Sequence, residues 1–166
     1  MNAQRAEYLI QQLNVLLVDD NAFTRKIVRG LLNVIGVKSI TEAGDGIAAL
    51  EMIRASAPDV IILDWEMPLL NGPELVRIVR SPGVFPVPDV PIIMLSGHGE
   101  RWRIVESVKI GVNEFLCKPV SAKALLDRMI SILLKPRQSV HFAGYYGPAP
   151  RQPALKAGRL GDKPAA

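Results

Sequence analysis

Residues 14–20 read NVLLVDD, a short apolar run that ends in two acids. The four aliphatic residues 15–18 leave no polar face, which is typical of a central parallel strand buried on both sides. Asp19 and Asp20 therefore follow the carboxyl end of a buried strand. In open α/β sheets, ligands bind at this edge, beside the point where the strand order reverses.

Four further strand-like runs repeat this pattern: SITEA at 39–43, VIILD at 60–64, IIMLS at 92–96 and EFLC at 114–117. Segments with helical periodicity separate and follow the strands, at residues 22–34, 46–55, 72–80, 101–110 and 121–134. Five strand–helix units in alternation predict an α/β fold, a (βα)5 flavodoxin-like doubly wound parallel sheet. With the strand order 2-1-3-4-5, the first, third and fourth strands become neighbours around the switch point.

Helical spacing also predicts which side chains are buried. The expected apolar face of the first helix of the repeat consists of Phe23, Ile27 and Leu31, and that of the fourth of Trp102, Val105 and Val108. Trp102 has two interpretations, as a core residue or as part of an exposed partner surface. The single cysteine, Cys117, lies in the apolar run EFLC. We therefore expect a buried thiol, and one cysteine excludes an internal disulfide.

The charge of the chain is concentrated at one end. Residues 1–135 hold 15 basic and 15 acidic residues, whereas residues 136–166 hold five basic residues and one acid, which accounts for the net +4. A neutral body lacks the basic face of a nucleic-acid-binding domain.

We expect an N-terminal extension over 1–12 with a short helix, a main domain over 13–135, and a flexible basic tail rich in Pro and Gly over 136–166. Within that tail, YYGP at 145–148 could be a solvated linker or a docking motif.

Hydropathy bears on the location of the protein. No apolar run approaches the roughly 18–20 residues that span a bilayer. The first residues, MNAQRAEYLIQQL, are too polar for the core of a signal peptide. We expect a cytoplasmic protein that contacts neither membrane nor nucleic acid.

Polar side chains follow the strands at the predicted functional edge. Asp19 and Asp20 follow the first strand, Asp64 ends the third, Ser96 ends the fourth and Lys118 follows the fifth. In the predicted strand order the three carboxylates would converge, with a hydroxyl and an ammonium at the rim. Carboxylates this close repel one another unless a cation neutralises them. Because the donors are oxygens, the expected ligand is a hard divalent cation such as Mg²⁺.

From about Leu13 to Leu134, the chain resembles the receiver domain of two-component response regulators, in particular the single-domain, chemotaxis-regulator-like type. Each matching motif is weak alone, but all of them occur in the right order at successive strand ends. The motifs are Asp19-Asp20, VIILD ending at Asp64, Met67-Pro68 with Asn71-Gly72, Ser96-Gly97 and Lys118-Pro119.

The resemblance implies that Asp64 accepts a phosphoryl group from a histidine kinase or a histidine phosphotransfer protein in a Mg²⁺-dependent reaction. Asp20, Asp64 and the backbone carbonyl of Glu66 would bind the metal, and Asp19 would contribute indirectly. Such a protein is not an enzyme in the usual sense, because it catalyses only its own phosphorylation and dephosphorylation.

The resemblance also assigns the remaining residues of the site. Ser96 and Lys118 would bind the phosphoryl group, and Ser96 and Phe115 would form the switch. Glu66 and His98 would set the lifetime of the phosphorylated state, and the Lys118-Pro119 bond would be cis. The output would be contact with a downstream protein, or onward phosphotransfer. The contact surface would be formed by the fourth helix, fifth strand and fifth helix of the repeat, at residues 101–110, 114–117 and 121–134.

The sequence also bears on three other functions. A receiver-like adaptor that works without phosphorylation remains open. An aspartate-nucleophile phosphatase would carry a D-x-D pattern, but Glu66 stands two residues after Asp64. A flavodoxin-type flavin carrier would need a phosphate loop rich in Ser, Thr and Gly after the first strand, where this chain has DDNAFTRK.

Overall fold

A computed structural model of the chain describes residues 3–151. The helices are α1 (Ala3–Gln12), α2 (Ala22–Ile35), α3 (Gly46–Ala55), α4 (Gly72–Val79), α5 (Arg101–Ile110) and α6 (Ala122–Leu134). The strands are β1 (Asn14–Val18), β2 (Ser39–Ala43), β3 (Val60–Asp64), β4 (Ile92–Ser96), β5 (Glu114–Cys117), β6 (Ser139–Phe142) and β7 (Tyr145–Pro148). None of the helices within these residues is both long and apolar enough to cross a membrane.

Strands β1 to β5 form one parallel sheet in the order β2-β1-β3-β4-β5, as predicted. Alternate side chains of the central strands point to opposite faces. Leu16 and Leu63 pack with α3 and α4 on one face, and Leu17 and Ile62 pack with α1, α2 and α6 on the other. The unbroken apolar runs are therefore explained by helices that cover both faces.

Side-chain caps begin the helices that follow the functional edge. The side chains of Asn21, Asp45, Asn71 and Ser121 each accept a hydrogen bond from the backbone N–H three residues later. Such a cap satisfies one of the free N–H groups of the first turn and contributes about 1 kcal/mol. The caps fix where each loop ends and so position the loops around the site.

Two predictions of buried faces are wrong. In α2, Phe23 and Ile27 are exposed, whereas Leu31 is partly buried and packs on the core as predicted. Val28 and Leu32 are the fully buried residues of this helix. The four-residue spacing was identified correctly, but the helix turns the neighbouring row of side chains toward the sheet. In α5, Val105 and Val108 are exposed, contrary to the prediction. Trp102 is exposed as well, which matches the second of its two interpretations.

Cys117 is also exposed, contrary to the prediction of a buried thiol. It is the last residue of β5, and β5 is an edge strand of the sheet. The strand is buried at Glu114 and Leu116, so its two faces alternate and the cysteine falls on the open one.

Part of the predicted flexible tail is a folded hairpin. Residues 139–148 form β6 and β7, which pair in antiparallel fashion. Ala143 and Gly144, both with positive φ, make the two-residue turn that such hairpins favour. The amino-acid composition suggested disorder because it carries no information on the pairing of β6 with β7. Residues 152–166 of the predicted tail lie outside the described part of the chain.

The hairpin docks on the end of α5 through two facing glycines. A Cβ on Gly147 would lie 2.8 Å from the Cα of Gly111, and a Cβ on Gly111 would lie 2.8 Å from the carbonyl oxygen of Tyr146. Arg137 donates hydrogen bonds to the carbonyls of Asn113 at 2.8 Å and Ala149 at 3.1 Å. Residues 145–148 are therefore not a solvated linker, because they pack on the domain itself; docking of this segment on a partner stays a prediction.

Candidate functional site

Three carboxylates meet at the carboxyl ends of β1 and β3. Each of Asp19, Asp20 and Asp64 offers an oxygen, and these oxygens lie within 4.8 Å of one another. Asp19 and Asp64 are only 2% and 6% exposed, whereas Asp20 faces solvent. The convergence arises because β1 and β3 are neighbours, with Val18 opposite Leu63.

Lys118 brings an ammonium to this cluster from the end of β5. Its Nζ lies 2.7 Å from Oδ1 of Asp64 and 3.3 Å from Oδ2 of Asp19. The backbone N–H of Lys118 donates to the carbonyl of Ser96 at 2.8 Å, which fixes the residue beside β4. The Lys118-Pro119 peptide bond is cis, as the resemblance implied.

The charges at the site do not balance. Burial raises the pKa of Asp64, the hydrogen bond from Lys118 opposes this, and the charges of Asp19 and Asp20 raise it further. Burial acts to lower the pKa of Lys118, but the bond to Asp64 and the nearby carboxylates outweigh it and raise that pKa. The pKa of Asp64 is thus raised by burial first and by the neighbouring acids second, and the pKa of Lys118 is raised by the carboxylates around it. Because three carboxylates face one ammonium, the site favours a further cation.

The donor atoms suit a hard divalent cation such as Mg²⁺, which prefers carboxylate and carbonyl oxygens. Asp20 has no hydrogen-bond partner between residues 3 and 151, so its oxygens are available to a metal. The oxygens of Asp19 are occupied by the backbone N–H of Asn21 at 2.9 Å and by Lys118. The direct role of Asp20 and the indirect role of Asp19 stay predictions.

The loop after β3 is shaped by Gly72. Its N–H donates to the carbonyl of Trp65 at 2.9 Å, which closes the loop that carries Glu66. A Cβ at Gly72 would lie 2.5 Å from the backbone oxygen of Asp64, a distance that no side chain can occupy. The Asn71-Gly72 motif therefore has a structural cause, because Asn71 caps α4 and Gly72 packs against the backbone of Asp64. An open pocket beside the carboxylates is lined by Asp20, Trp65, Glu66, Met67, Pro68 and Asn71.

Ser96 is buried at the end of β4, and its hydroxyl oxygen accepts two hydrogen bonds. One comes from the backbone N–H of His98 at 3.1 Å and the other from Nη1 of Arg103 at 3.3 Å. Arg103 also donates from Nη2 to Oε1 of Glu66 at 2.8 Å. Sequence reasoning missed Arg103, because its spacing from Ser96 does not reveal that α5 turns it back toward the site.

The other predicted residues lie at the rim. Nε2 of His98 is 3.5 Å from Oε1 of Glu66, and both side chains are more than half exposed. Phe115 is half-buried, and its ring stands edge-on to that of Trp65 with 6.5 Å between centroids. The lifetime role of Glu66 and His98 and the switch role of Phe115 stay predictions.

Replacing Asp64 by Asn should stabilise the fold. Burial and the neighbouring acids raise the pKa of Asp64, so ionising this carboxyl costs free energy in the folded state that it does not cost in the unfolded chain. The cost is present at pH values above the raised pKa and disappears as falling pH protonates the group. At pH 7 we expect the Tm of Asp64→Asn to exceed that of wild type by about 2–4 °C, or about 1 kcal/mol.

Scanning calorimetry at pH 7 and near pH 4 checks this expectation, and the difference in Tm should shrink at the lower pH. Asp127→Asn is the matched control, because Asp127 is an exposed carboxylate on α6. A Tm for Asp64→Asn at or below the wild-type value at pH 7 would contradict the assigned cause.

The fold and the acid cluster are those of a phosphoacceptor receiver, and comparison with known proteins agrees. Residues 15–130 match the family described as the response regulator receiver domain. The chain belongs to this family.

Its relatives include chemotaxis proteins. The chain is 34% identical over 122 residues to chemotaxis protein CheY1 of Helicobacter pylori, covering 73% of this chain and 97% of the relative. It is 32% identical over 124 residues to chemotaxis protein CheY-3 of Vibrio cholerae, covering 75% of this chain and 94% of the relative. Similar solved structures include CheY4 of Vibrio cholerae (TM-score 0.66, 31% identity, 73% of this chain and 98% of that chain). The Francisella response regulator 1452 receiver domain is another (TM-score 0.67, 29% identity, 76% and 100%).

Proposed function

We propose that this chain is a response regulator that accepts a phosphoryl group on Asp64 in a Mg²⁺-dependent reaction. The donor is a histidine kinase or a histidine phosphotransfer protein in the cytoplasm, and the output is contact with a downstream protein. The observation that carries the proposal is the carboxylate of Asp64, hydrogen-bonded to Lys118 and beside two further acids at the carboxyl end of the sheet. Family membership and the chemotaxis relatives support it.

The reaction follows from the chemistry of these groups. An oxygen of the Asp64 carboxylate attacks the phosphorus of a phosphohistidine donor, the P–N bond breaks as the O–P bond forms, and the imidazole leaves. The product is an aspartyl phosphate. Lys118 stands beside the reacting carboxylate, where its charge stabilises the phosphoryl oxygens. The Ser96 hydroxyl donates a charge-assisted hydrogen bond to one of these oxygens. Attack by water later restores Asp64 and releases inorganic phosphate.

Asp20, Asp64 and the backbone carbonyl of Glu66 are the proposed metal ligands, with Asp19 contributing indirectly. When bound, Mg²⁺ supplies positive charge that offsets the carboxylates and the oxygens of the transferring group. The protein's own part is to hold the acids in place. Buried β1 and β3 position Asp19 and Asp64, and the loop closed by Gly72 positions Glu66.

The phosphorylated state is proposed to be read out through α5, β5 and α6. Ser96 moves toward the phosphoryl group, and Phe115 turns inward into the space beside β4. This change biases an equilibrium between two conformations, and a partner that prefers one of them shifts the population further. The exposed apolar side chains of α5 form part of the surface that such a partner would contact; they are Trp102, Ile104, Val105 and Val108. Glu66 and His98 at the rim are proposed to tune the access of water and hence the lifetime.

The test of this function is intact mass after incubation with Mg²⁺ and acetyl phosphate. We expect a gain of one phosphoryl group that requires Mg²⁺, that disappears with EDTA and that hydroxylamine removes, because acyl phosphates react with hydroxylamine. Absence of any gain at every donor concentration would contradict the proposal and would favour the phosphorylation-independent adaptor.

Removing Asp20 should weaken metal binding. Asp20 is the exposed acid whose oxygens have no partner in the described chain, so Asp20→Ala should lower the affinity for Mg²⁺ by about 10-fold or more. Trp65 lines the same pocket, so its fluorescence during a Mg²⁺ titration is the measurement. Asp127→Ala, which removes an exposed acid on α6, is the control and should bind like wild type. Equal Mg²⁺ affinities for Asp20→Ala and wild type would refute the assignment.

A further inference from the structure

Arg103 lies on the first turn of α5, yet its side chain is only 12% exposed. Its guanidinium carbon lies 4.9 Å from the centroid of the Trp65 ring and 5.1 Å from that of the Trp102 ring. The two rings stand edge-to-face, with 6.0 Å between their centroids. Arginine stacks well on aromatic faces because it is weakly hydrated, so the two indoles hold the cation beside the site rather than in bulk solvent.

The polar contacts of Arg103 reach both sides of the acceptor site. Nη1 lies 3.3 Å from the hydroxyl oxygen of Ser96, and Nη2 lies 2.8 Å from Oε1 of Glu66. Nε is buried and has no hydrogen-bond partner within residues 3–151. The guanidinium therefore bridges Ser96 and Glu66. One of its N–H donors, Nε, is still unused within this part of the chain.

These contacts also orient Ser96. A hydroxyl has two acceptor lone pairs and one proton. The oxygen of Ser96 accepts from Arg103 and from the backbone N–H of His98, so both lone pairs are engaged. The remaining hydrogen bond that Ser96 can make is as a donor, which is the role a phosphoryl oxygen requires.

We propose that Arg103 is a further ligand of the phosphoryl group on Asp64. In the unphosphorylated protein, it pairs with Glu66 and presents Ser96 as a donor. On phosphorylation, it moves with Ser96 to the phosphoryl oxygens and releases Glu66. The proposal rests on the proposed function of Asp64 as phosphoacceptor.

The charges favour this exchange of partners. Glu66 carries a single charge on a side chain that is 60% exposed, so solvent screens its pair with Arg103. A phosphoryl group adds a charge of about −1.5 to −2 and three strong acceptor oxygens. A guanidinium matches phosphate geometry with two parallel N–H donors, which a lysine cannot do.

The position of Arg103 links the phosphoryl group to α5. Its neighbour Trp102 and Val105 are exposed on the same helix. Movement of the guanidinium from between the two indoles would alter the packing of Trp102 against Trp65. The phosphoryl group would thus act on α5 through Arg103, in addition to the Ser96–Phe115 route.

The test uses beryllofluoride, a phosphoryl mimic, with saturating Mg²⁺ and the full-length chain. Arg103→Lys and Arg103→Gln should each bind beryllofluoride at least 10-fold more weakly than wild type, and acetyl phosphate should give them a shorter-lived phosphoprotein by intact mass. Wild-type tryptophan fluorescence should change on binding, and this change should be reduced in both variants. Arg101→Ala, which removes an exposed arginine from the same turn, is the control and should match wild type.

The Tm separates a binding role from a packing role. If Arg103 only packs between the indoles, the variants lose Tm but keep wild-type affinity for beryllofluoride, and this result would overturn the proposal. Arg103→Lys keeps the charge and the aliphatic stem, so it decides the question if Arg103→Gln fails to fold. Failure of wild type itself to bind beryllofluoride and to accept a phosphoryl group would instead overturn the function of Asp64.

Discussion

Asp64→Asn is expected to abolish phosphoryl incorporation. The amide cannot act as a nucleophile toward phosphorus, and the substitution also removes one of the carboxylates proposed to bind the metal. Loss of an essential nucleophile typically costs several orders of magnitude in rate, so we expect a fall on the order of 10³-fold or more. The measurement is intact mass over time with Mg²⁺ and acetyl phosphate.

The neighbouring acids are poorly suited to replace Asp64. The oxygens of Asp19 are held by Asn21 and Lys118, and Asp20 has no ammonium beside it among the described residues. Asp59→Asn is the control for this experiment, because Asp59 lies at the far end of β3, away from the site. Phosphoryl incorporation in Asp64→Asn at the wild-type rate would place the acceptor elsewhere.

A chain that ends at Gln138 is expected to melt well below one that ends at Arg151. The longer chain keeps β6 and β7, whose residues Gly147 and Pro148 are buried against the domain. It also keeps the contact of Arg151 with Glu114, a carboxylate that is only 5% exposed, and the bond between Tyr146 and Asp89. Losing these contacts leaves Glu114 with Arg128 at 3.2 Å and exposes the end of α5.

Loss of charge-assisted and buried contacts of this kind costs about 2–4 kcal/mol in total. For a domain of this size, the Tm should fall by roughly 5–15 °C. Thermal unfolding monitored by circular dichroism gives the Tm of each of the two chains. Equal melting of the two chains would show that the hairpin adds nothing to the fold.

A single substitution isolates the docking contact. Gly147→Ala should lower the Tm, because the new Cβ would lie 2.8 Å from the backbone of Gly111. That backbone cannot move aside as a flexible side chain would. Gly30→Ala is the matched control, because a Cβ there meets nothing within 4 Å. This change should stabilise α2, since alanine has a higher helix propensity than glycine.

The sheet could be predicted from the sequence because buried parallel strands appear in it as unbroken apolar runs. The runs VIILD and IIMLS are apolar throughout, and β3 and β4 are buried at every position. The acids could be predicted for the same reason. Each stands where an apolar run stops, and parallel strands bring such ends to one edge.

Other features depend on how the elements are rotated or docked, which periodicity does not fix. The four-residue spacing in α2 was correct, yet Val28 rather than Ile27 faces the core. Arg103 joins the site because its side chain, on the first turn of α5, reaches back to Ser96 and Glu66. The contact between Gly111 and Gly147 joins segments far apart in the chain, so a local reading of composition suggested a flexible tail.

The acceptor can be located directly by reducing the phosphorylated protein with borohydride and mapping its peptides by tandem mass spectrometry. Borohydride reduces an acyl phosphate to an alcohol, so a phosphorylated aspartate becomes homoserine. After treatment with Mg²⁺ and acetyl phosphate, we predict homoserine at position 64 and unmodified aspartate at positions 19 and 20. Homoserine at position 19 or 20 with unmodified Asp64, or a phosphorylated chain that yields no homoserine at all, would contradict the assignment of Asp64 as the phosphoacceptor.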